Sequence, residues 1–503
     1  MKFNFLSKPI ANYEGALSFK MTPELELYTV VVTSTLSDSF YEKMDDRLKR
    51  IIKLIKQVEP TFVAKLAVYV RQQMYLRTVP IVLTNELAKI HNGDSLVKKT
   101  VEKVVQRPDE ILELLAYYQL TNKREGTKKL NSLSKQVQKG LASSFNRFDE
   151  YQFAKYDRDT AVKLRDALFL VHPKAKDEKQ QMIFNKIVRR ELATPYTWET
   201  ELSALGQQKF HIEGVYKNAL RAKWGELIDS QKMGYMALLR NLRNILEADV
   251  KPKHIKQVCK YLTDPKAVKQ SKQLPFRFLA AYRELKDVQS SLVPMVLDAL
   301  EEAITISVES VKAFDVETRV VIACDVSGSM QKPISAKSKI MLYDIGLVLG
   351  MLLQSKCKNV TSGMFGDSWK TLSLPTRNIL ENVDAFYKRE GEVGYSTNGY
   401  LVLDDLINRQ QIADKVMMFT DVQLWDSVNS NRNSLVTKWL AYKKIAPNAQ
   451  LYLFDLAGYG HAPLEIQAND VFLIAGWSDK IFDVLKALEE GKDALRLINE
   501  ICL

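Results

Sequence analysis

The chain has 503 residues, 46% of them hydrophobic and 26% charged, with a formal net charge of +12, which is length enough for two or three domains and a large buried core. No apolar run approaches the roughly eighteen residues of a membrane span, and the Met1–Pro9 start is too short in apolar residues for a secretory signal. The four cysteines, Cys259, Cys324, Cys357 and Cys502, share no CxxC spacing, so a disulfide scaffold and a cysteine-held metal are excluded and a reduced, cytoplasmic monomer is expected.

The charge is unevenly spread. Residues 1–300 hold 51 Lys and Arg against 34 Asp and Glu, a net of +17, whereas residues 301–503 hold 21 against 26, a net of −5. A strongly basic front portion suits a polyanionic partner, although a lysine-rich solvated helix surface gives the same count.

From about Pro23 to Ser307 the apolar residues follow helical spacing. Leu48, Ile51, Ile52 and Ile55 fall at i, i+3, i+4 and i+7, and the segment stops at Glu59-Pro60. Phe62, Leu66, Tyr69 and Val70 repeat the pattern. Breaks follow around Thr78-Val79-Pro80, at His91-Asn92-Gly93-Asp94, at Arg107-Pro108 and around Thr121-Asn122. Short helices on short loops stack as antiparallel pairs, which predicts an α-solenoid of the HEAT kind. No repeat at a fixed period is visible, so this expectation rests on helix density.

Near residue 316 the pattern changes. Apolar runs at Val320–Cys324, Val416–Phe419, Leu451–Phe454 and Val471–Ile474 alternate with helical stretches at Ser338–Leu353, Leu435–Tyr442 and Ile481–Leu488. That predicts an α/β domain, a doubly wound parallel sheet covered on both faces, with a boundary between residues 1–315 and 316–503. Ligands of such sheets bind beyond the carboxyl ends of the strands. Asp325 and Asp421 stand at two such ends, and Cys324 reads as packing.

Asp325-Val326-Ser327-Gly328-Ser329 brings a carboxylate and two hydroxyls into one tight turn. All are hard oxygen ligands suited to Mg²⁺, although either serine could instead cap the helix that follows. Thr397, in Tyr395-Ser396-Thr397-Asn398-Gly399, adds a hydroxyl, and Asp421 adds a second carboxylate. Without a cation, two ionised acids held this close repel, so the empty site should be strained or partly protonated. No Ser-His-Asp signature, HExxH helix, Walker loop or DxDxDG loop is present, and His91, His211, His254 and His461 lie in unlike contexts. No enzyme activity is expected.

Residues 316–503 resemble von Willebrand factor A-type domains carrying the DxSxS metal-ion-dependent adhesion signature. The resemblance implies Ser327, Ser329 and Thr397 as direct ligands of Mg²⁺ (Mn²⁺ or Ca²⁺ as substitutes), with Asp325 and Asp421 acting directly or through water. A sixth position would then be open to a partner's carboxylate or phosphate oxygen. One departure stands out: the family commonly shows Gly-Gly before Thr-Asn, whereas here Tyr395-Ser396 follow Gly394.

In the helical part, Phe153-Ala-Lys155-Tyr156, Val162-Lys-Leu-Arg165-Asp166 and Leu170-Val-His172-Pro173-Lys174 form an ordered set. Leu66–Arg71, Leu76–Pro80, Met236–Leu242 and Leu274–Tyr282 extend it. The set resembles the TROVE module of the Ro autoantigen family, in which that module precedes an A-type domain. The resemblance implies helices closed into a ring that binds small noncoding Y RNA outside and admits 3′ ends of misfolded RNA through its hole. It implies RNA contacts at Lys155 and His172, with Arg165, Lys174 and Arg240 as basic neighbours. An exoribonuclease such as polynucleotide phosphorylase is a further implied partner. On the residues alone, His172 before Pro173 also reads as a helix-terminal structural residue, and Arg240-Asn241 as a buried scaffold pair. The competing class is a metal-dependent protein-interaction adaptor, since A-type domains also partner AAA+ ATPases; the +17 argues against that as the sole role.

Overall fold

The computed structural model describes residues 10–34, 42–121, 133–157, 161–309, 314–335, 338–424, 434–466, 469–493 and 495–503. The chain divides into two compact units. One comprises residues 1–51 and 234–496, the other 52–233 and 497–503. The change from helices to sheet near residue 316 falls inside the first. Among the described residues no helix is long and apolar enough to cross a membrane.

The second unit is built from short helices, as the periodicity predicts. Helices Pro60–Gln72, Thr78–Ile90 and Leu96–Val104 pack on one another, and Lys135–Phe145 lies against Leu96–Val104. The last contact is close because position 140 is glycine. A Cβ there would sit 2.6 Å from Val101 Cβ and 2.9 Å from the Lys98 carbonyl. The break expected at Thr78–Pro80 lies just before it, and Pro80 sits in the first turn, where its missing N–H has no helical partner to lose.

Buried charge in this unit is paired. Glu110, fully buried, accepts from Arg71 Nη2 at 2.6 Å and Arg77 Nε at 3.3 Å. It also accepts from the Gln106 and Arg107 amides at 2.7 and 3.1 Å, which closes the start of helix Pro108–Thr121.

The first unit holds two sheets. The small one joins β1 (Ile10–Ala11) and β2 (Leu17–Lys20) to β8 (His461–Ala462), all antiparallel. The large one contains β3 (Arg319–Asp325), β4 (Asn359–Phe365), β5 (Trp369–Leu372), β6 (Lys415–Thr420), β7 (Gln450–Asp455) and β9 (Val471–Ala475), in the order β5-β4-β3-β6-β7-β9. All its pairings are parallel except β4–β5. This corrects the all-parallel expectation: the Gly366–Ser368 turn returns the chain as an antiparallel edge, with the Gly366 amide donating to the Ser368 carbonyl at 2.9 Å. The helix expected from Ser338 begins at Leu342, because Met341 first forms a bridge with Pro333.

Alternation along the strands gives each face a core. Val321, Ala323, Val416, Met418, Leu451 and Leu453 pack with Leu403, Leu406, Trp439 and Tyr442 from helices Tyr400–Asn408 and Leu435–Ile445. On the opposite face helix Leu342–Gln354 comes close at Gly350, where an added Cβ would lie 3.1 Å from Cys324 Sγ. Cys324 is buried packing, and desolvation pushes its thiol pKa well up.

The N-terminal segment belongs with this sheet, which the periodicity did not indicate. The Tyr28 hydroxyl donates to the Ala475 carbonyl at 3.0 Å, Arg47 to that of Ala457 at 2.9 Å, and Arg50 to that of Gly458 at 2.6 Å. Helices between 235 and 307 also join it. Arg283 pairs with buried Asp344 at 2.7 Å, and the Glu301 carboxylate accepts the Leu380 and Glu381 amides, neutralising the start of helix Ile379–Tyr387.

Candidate functional site

Three neighbouring parallel strands, β3, β6 and β7, each end in a buried acid: Asp325, Asp421 one residue beyond β6, and Asp455. Asp325 Oδ1 accepts the Ser327 amide at 2.9 Å, and Oδ2 accepts the Thr420 hydroxyl at 2.6 Å. The Ser327 and Ser329 hydroxyls lie 3.3 Å apart, both buried. Asp421 Oδ1 accepts the Gln423 amide at 3.0 Å, but its Oδ2 has no hydrogen-bond partner among the described residues. Asp455 Oδ1 accepts the Ala457 and Gly458 amides, and its Oδ2 is likewise unpartnered.

The loop carrying Thr397 runs alongside. The Gly328 amide donates to the Tyr395 carbonyl at 3.0 Å, and the Asn398 amide to that of Gly366 at 3.3 Å. Thr397 itself is buried. Gly394, at φ +71°, takes a left-handed turn that lets the loop accommodate the two intervening residues. The structure therefore brings Asp325, Ser327, Ser329, Thr397 and Asp421 to one end of the sheet. Asp455 joins them. The sequence reading missed it, although it closes its strand just as Asp421 follows β6.

Among the described residues no cation offsets the charges of Asp325 and Asp421, whereas Asp455 feels those of Arg47 and Arg50. Desolvation raises the pKa of Asp325, which the Ser327 and Thr420 bonds only partly offset. Asp421 is raised further, by burial first and by the charge of Asp325 second. Burial holds Asp455 at about 6. Val422, directly after Asp421, sits at φ +63°, a region strained for a β-branched residue and worth on the order of 1–3 kcal/mol. Among the described residues no group of three or more His, Cys, Asp and Glu side chains forms a metal site, so a cation here would depend on the hydroxyls. Two unpartnered carboxylate oxygens beside two serine hydroxyls fit a hard divalent cation and offer nothing to a soft one.

The basic residues lie elsewhere. Lys155, on helix Glu150–Tyr156, has its Nζ 5.7 Å from the Tyr151 ring centroid and 5.8 Å from that of Tyr156, over which Arg107 stacks at 4.2 Å. Arg165, exposed on helix Leu164–Val171, lies over Phe169 at 5.6 Å. Tyr151 and Phe169 are half exposed, and the sequence reading did not single them out. His172 ends that helix at φ +50°, its amide donating to the Leu168 carbonyl, while its side chain is exposed. The residue is thus both a helix terminus and an exposed imidazole at the surface. Lys174 is exposed, its carbonyl held by Asn146 Nδ2 at 2.9 Å.

These four belong to the 52–233 unit; Arg240 belongs to the other. It is exposed on helix Tyr235–Glu247, while Asn241 is buried and bonds the Ala237 carbonyl of its own helix. The Arg240-Asn241 pair is therefore split, one residue structural and the other facing solvent.

The TROVE domain model matches residues 29–209 and 188–322, together more than half of the chain. The chain belongs to the TROVE family of the Ro autoantigen. The matched TROVE region contains Lys155, Arg165, His172, Lys174 and Arg240 and ends just before Asp325. Telomerase protein component 1 of Mus musculus is 24% identical in an alignment 322 residues long that covers 48% of this chain and 12% of that protein. RNA-binding protein RO60 of Deinococcus radiodurans is 28% identical in an alignment 235 residues long that covers 39% of this chain and 42% of that one. The TROVE chain thus spans less than half the length of either relative. The crystal structure of the Deinococcus radiodurans RO (RSR) protein superposes with a TM-score of 0.61 at 18% identity, covering 94% of this chain and 100% of that one. The fold, helices followed by a mainly parallel sheet, is shared over nearly the whole length.

Proposed function

We propose that this TROVE protein binds RNA through its helical part and works in a ribonucleoprotein, taking a small structured Y-like RNA and the single-stranded 3′ ends of misfolded transcripts. The observation that carries this reading is exposed Lys155 and Tyr151 beside half-buried Tyr156, with exposed Arg165 and Phe169, inside the matched TROVE region. Lysine and arginine neutralise phosphates with release of counter-ions, and exposed rings stack unpaired bases. The names of the relatives, an RNA-binding protein and a telomerase component, support the same class. In this reading the helices close into a ring, as the family resemblance implies, and RNA is retained for inspection or handed to an exoribonuclease.

The sheet region is read as an A-type domain whose strand ends would hold a divalent cation. Ser327, Ser329 and Thr397 would be its ligands, with Asp325 and Asp421 acting directly or through water. The cation would supply a Lewis-acidic point to which an acidic partner docks, and no bond chemistry is assigned to it.

The test is titration of fluorescent structured and single-stranded RNA with the full chain between low and physiological salt. The expected result is affinity that falls steeply with salt, and a loss of about fivefold in Lys155→Ala. Absence of binding even in dilute buffer would end this reading.

A further inference from the structure

Helices Tyr235–Glu247 and Phe276–Leu285 pack together and leave a cleft of about 460 Å³ lined by Met236, Arg240, Arg243, Asn244, Arg277 and Glu284. The charges in it are unequal in their partners. Arg243 is bound to Glu284 at 2.8 Å, and Glu284 is also held by Lys339 at 2.6 Å. The acid is therefore already neutralised. Arg240 and Arg277 form no ion pair and no side-chain hydrogen bond among the described residues; Arg277 only lies over the Phe276 ring at 5.0 Å. Arg240 and Arg277 are both exposed residues; the packed helices desolvate the Arg277 guanidinium in part, which lowers its pKa, and the like charge of Arg240 lowers it further. Arg277 also stands in the first turn of its helix, where the dipole disfavours a cation and favours an anion. Two guanidiniums that line one cleft, with no ion-pair partner among the described residues, offer donors suited to a tetrahedral oxyanion.

We propose that this cleft is a phosphate seat, in which Arg240 and Arg277 clamp one phosphate group of an RNA strand. The source of the phosphate rests on the RNA reading above; the seat itself rests on the geometry. Asn244, whose Nδ2 donates to Asn241 Oδ1 at 2.9 Å, has a second amide hydrogen to offer at the rim, and Arg243 occupies Glu284 so that this acid does not pair with the two arginines. The seat is in the unit that does not contain Lys155 and His172, so it is a contact additional to theirs.

The experiment compares the full-length protein with Arg240→Gln, Arg277→Gln and the double variant. Each is titrated with single-stranded RNA bearing a 5′-phosphate or a 5′-hydroxyl, and separately with inorganic phosphate followed by calorimetry. The double variant should lose about tenfold in RNA affinity at ~0.1 M salt, and its salt slope should fall by about 0.7, the share of one single-strand phosphate. Arg277→Lys, which keeps charge but not the fork, should fall between, with thermal unfolding unchanged. If the 5′-phosphate strand alone feels the variants, the seat takes a strand end; if both strands feel them, it takes the backbone. RNA binding that is equal in wild type and double variant overturns the seat and leaves the RNA reading standing. Should the wild type bind no RNA, inorganic phosphate decides: heat lost in the double variant upholds the seat, and no heat in the wild type overturns it.

Discussion

Glu110 in the helical unit and Asp421 at the sheet are both carboxylates buried to zero exposure, yet they are opposites. Every lone pair that Glu110 needs is met, by two arginines and two amides. Asp421 has one amide on Oδ1 and nothing hydrogen-bonded to Oδ2, and it faces the like charges of Asp325 and Asp455. Burying a charge is expensive unless it is paired, so an acid that is buried, unpaired and crowded is what the proposed cation would relieve. Satisfaction of the group, not its burial, separates scaffold from site.

Substitution breaks the comparison most sharply. Glu110→Ala strands Arg71 in the interior and should cost about 3–5 kcal/mol in urea unfolding. Asp421→Asn removes a desolvated charge and should be neutral or stabilising in EDTA. Equal losses in both would mean that Asp421 is scaffold. A smaller effect is read from ligand. Saturating Mg²⁺ should stabilise the wild type by about 2.7 kcal/mol at a hundredfold excess over Kd. Asp325→Ala should remove that gain while RNA affinity changes less than twofold.

Proton linkage comes next. The folded-state pKa values of Asp325, Asp421 and Asp455 are all raised, so the native protein binds protons that the unfolded chain has released. The stability these acids contribute is therefore full below about pH 4 and is lost as pH rises through their folded values, each acid losing about 1.4 kcal/mol for every pH unit between its unfolded and folded pKa. Unfolding midpoints in EDTA should fall from pH 5 to pH 8, and Mg²⁺ should flatten the slope. A flat profile in EDTA would mean that the acids are already compensated.

Much of this was legible from periodicity. Ile51, Ile55, Leu66 and Val70 announced helices because one-sided burial imposes a 3.6-residue period. The apolar runs at Val320, Val416, Leu451 and Val471 announced strands buried on both faces. β4 was hidden because Asn359-Val-Thr-Ser-Gly363 breaks the apolar run, and glycine is needed there: a Cβ at Gly363 would lie 2.4 Å from the Lys370 carbonyl. The docking of Tyr28, Arg47 and Arg50 was hidden because it runs through carbonyls far along the chain, and carbonyls carry no sequence signal. At the site, the DxSxS spacing showed Asp325, Ser327 and Ser329, and Asp455 was signalled only by its place after the apolar run Leu451–Phe454, whereas the unpartnered oxygens and the strained Val422 needed coordinates. Arg277 needed them too, since only packing of two helices sets it beside Arg240.

The smallest effect separates the two roles of His172. Its backbone closes helix Leu164–Val171 in the left-handed region, which costs a side-chain-bearing residue about 1 kcal/mol relative to glycine. Its imidazole is exposed and free to stack on or bond to a base. A residue kept only to end the helix would be improved by His172→Gly. That variant should gain up to about 1 kcal/mol in thermal or urea unfolding and, if the imidazole meets RNA, lose about threefold to fivefold in affinity with little change in salt slope, because stacking on a base displaces no phosphate counter-ion. Lys155→Ala should instead lower the slope. Stability gained with RNA affinity untouched would confine His172 to the helix end and leave the basic residues to bind alone.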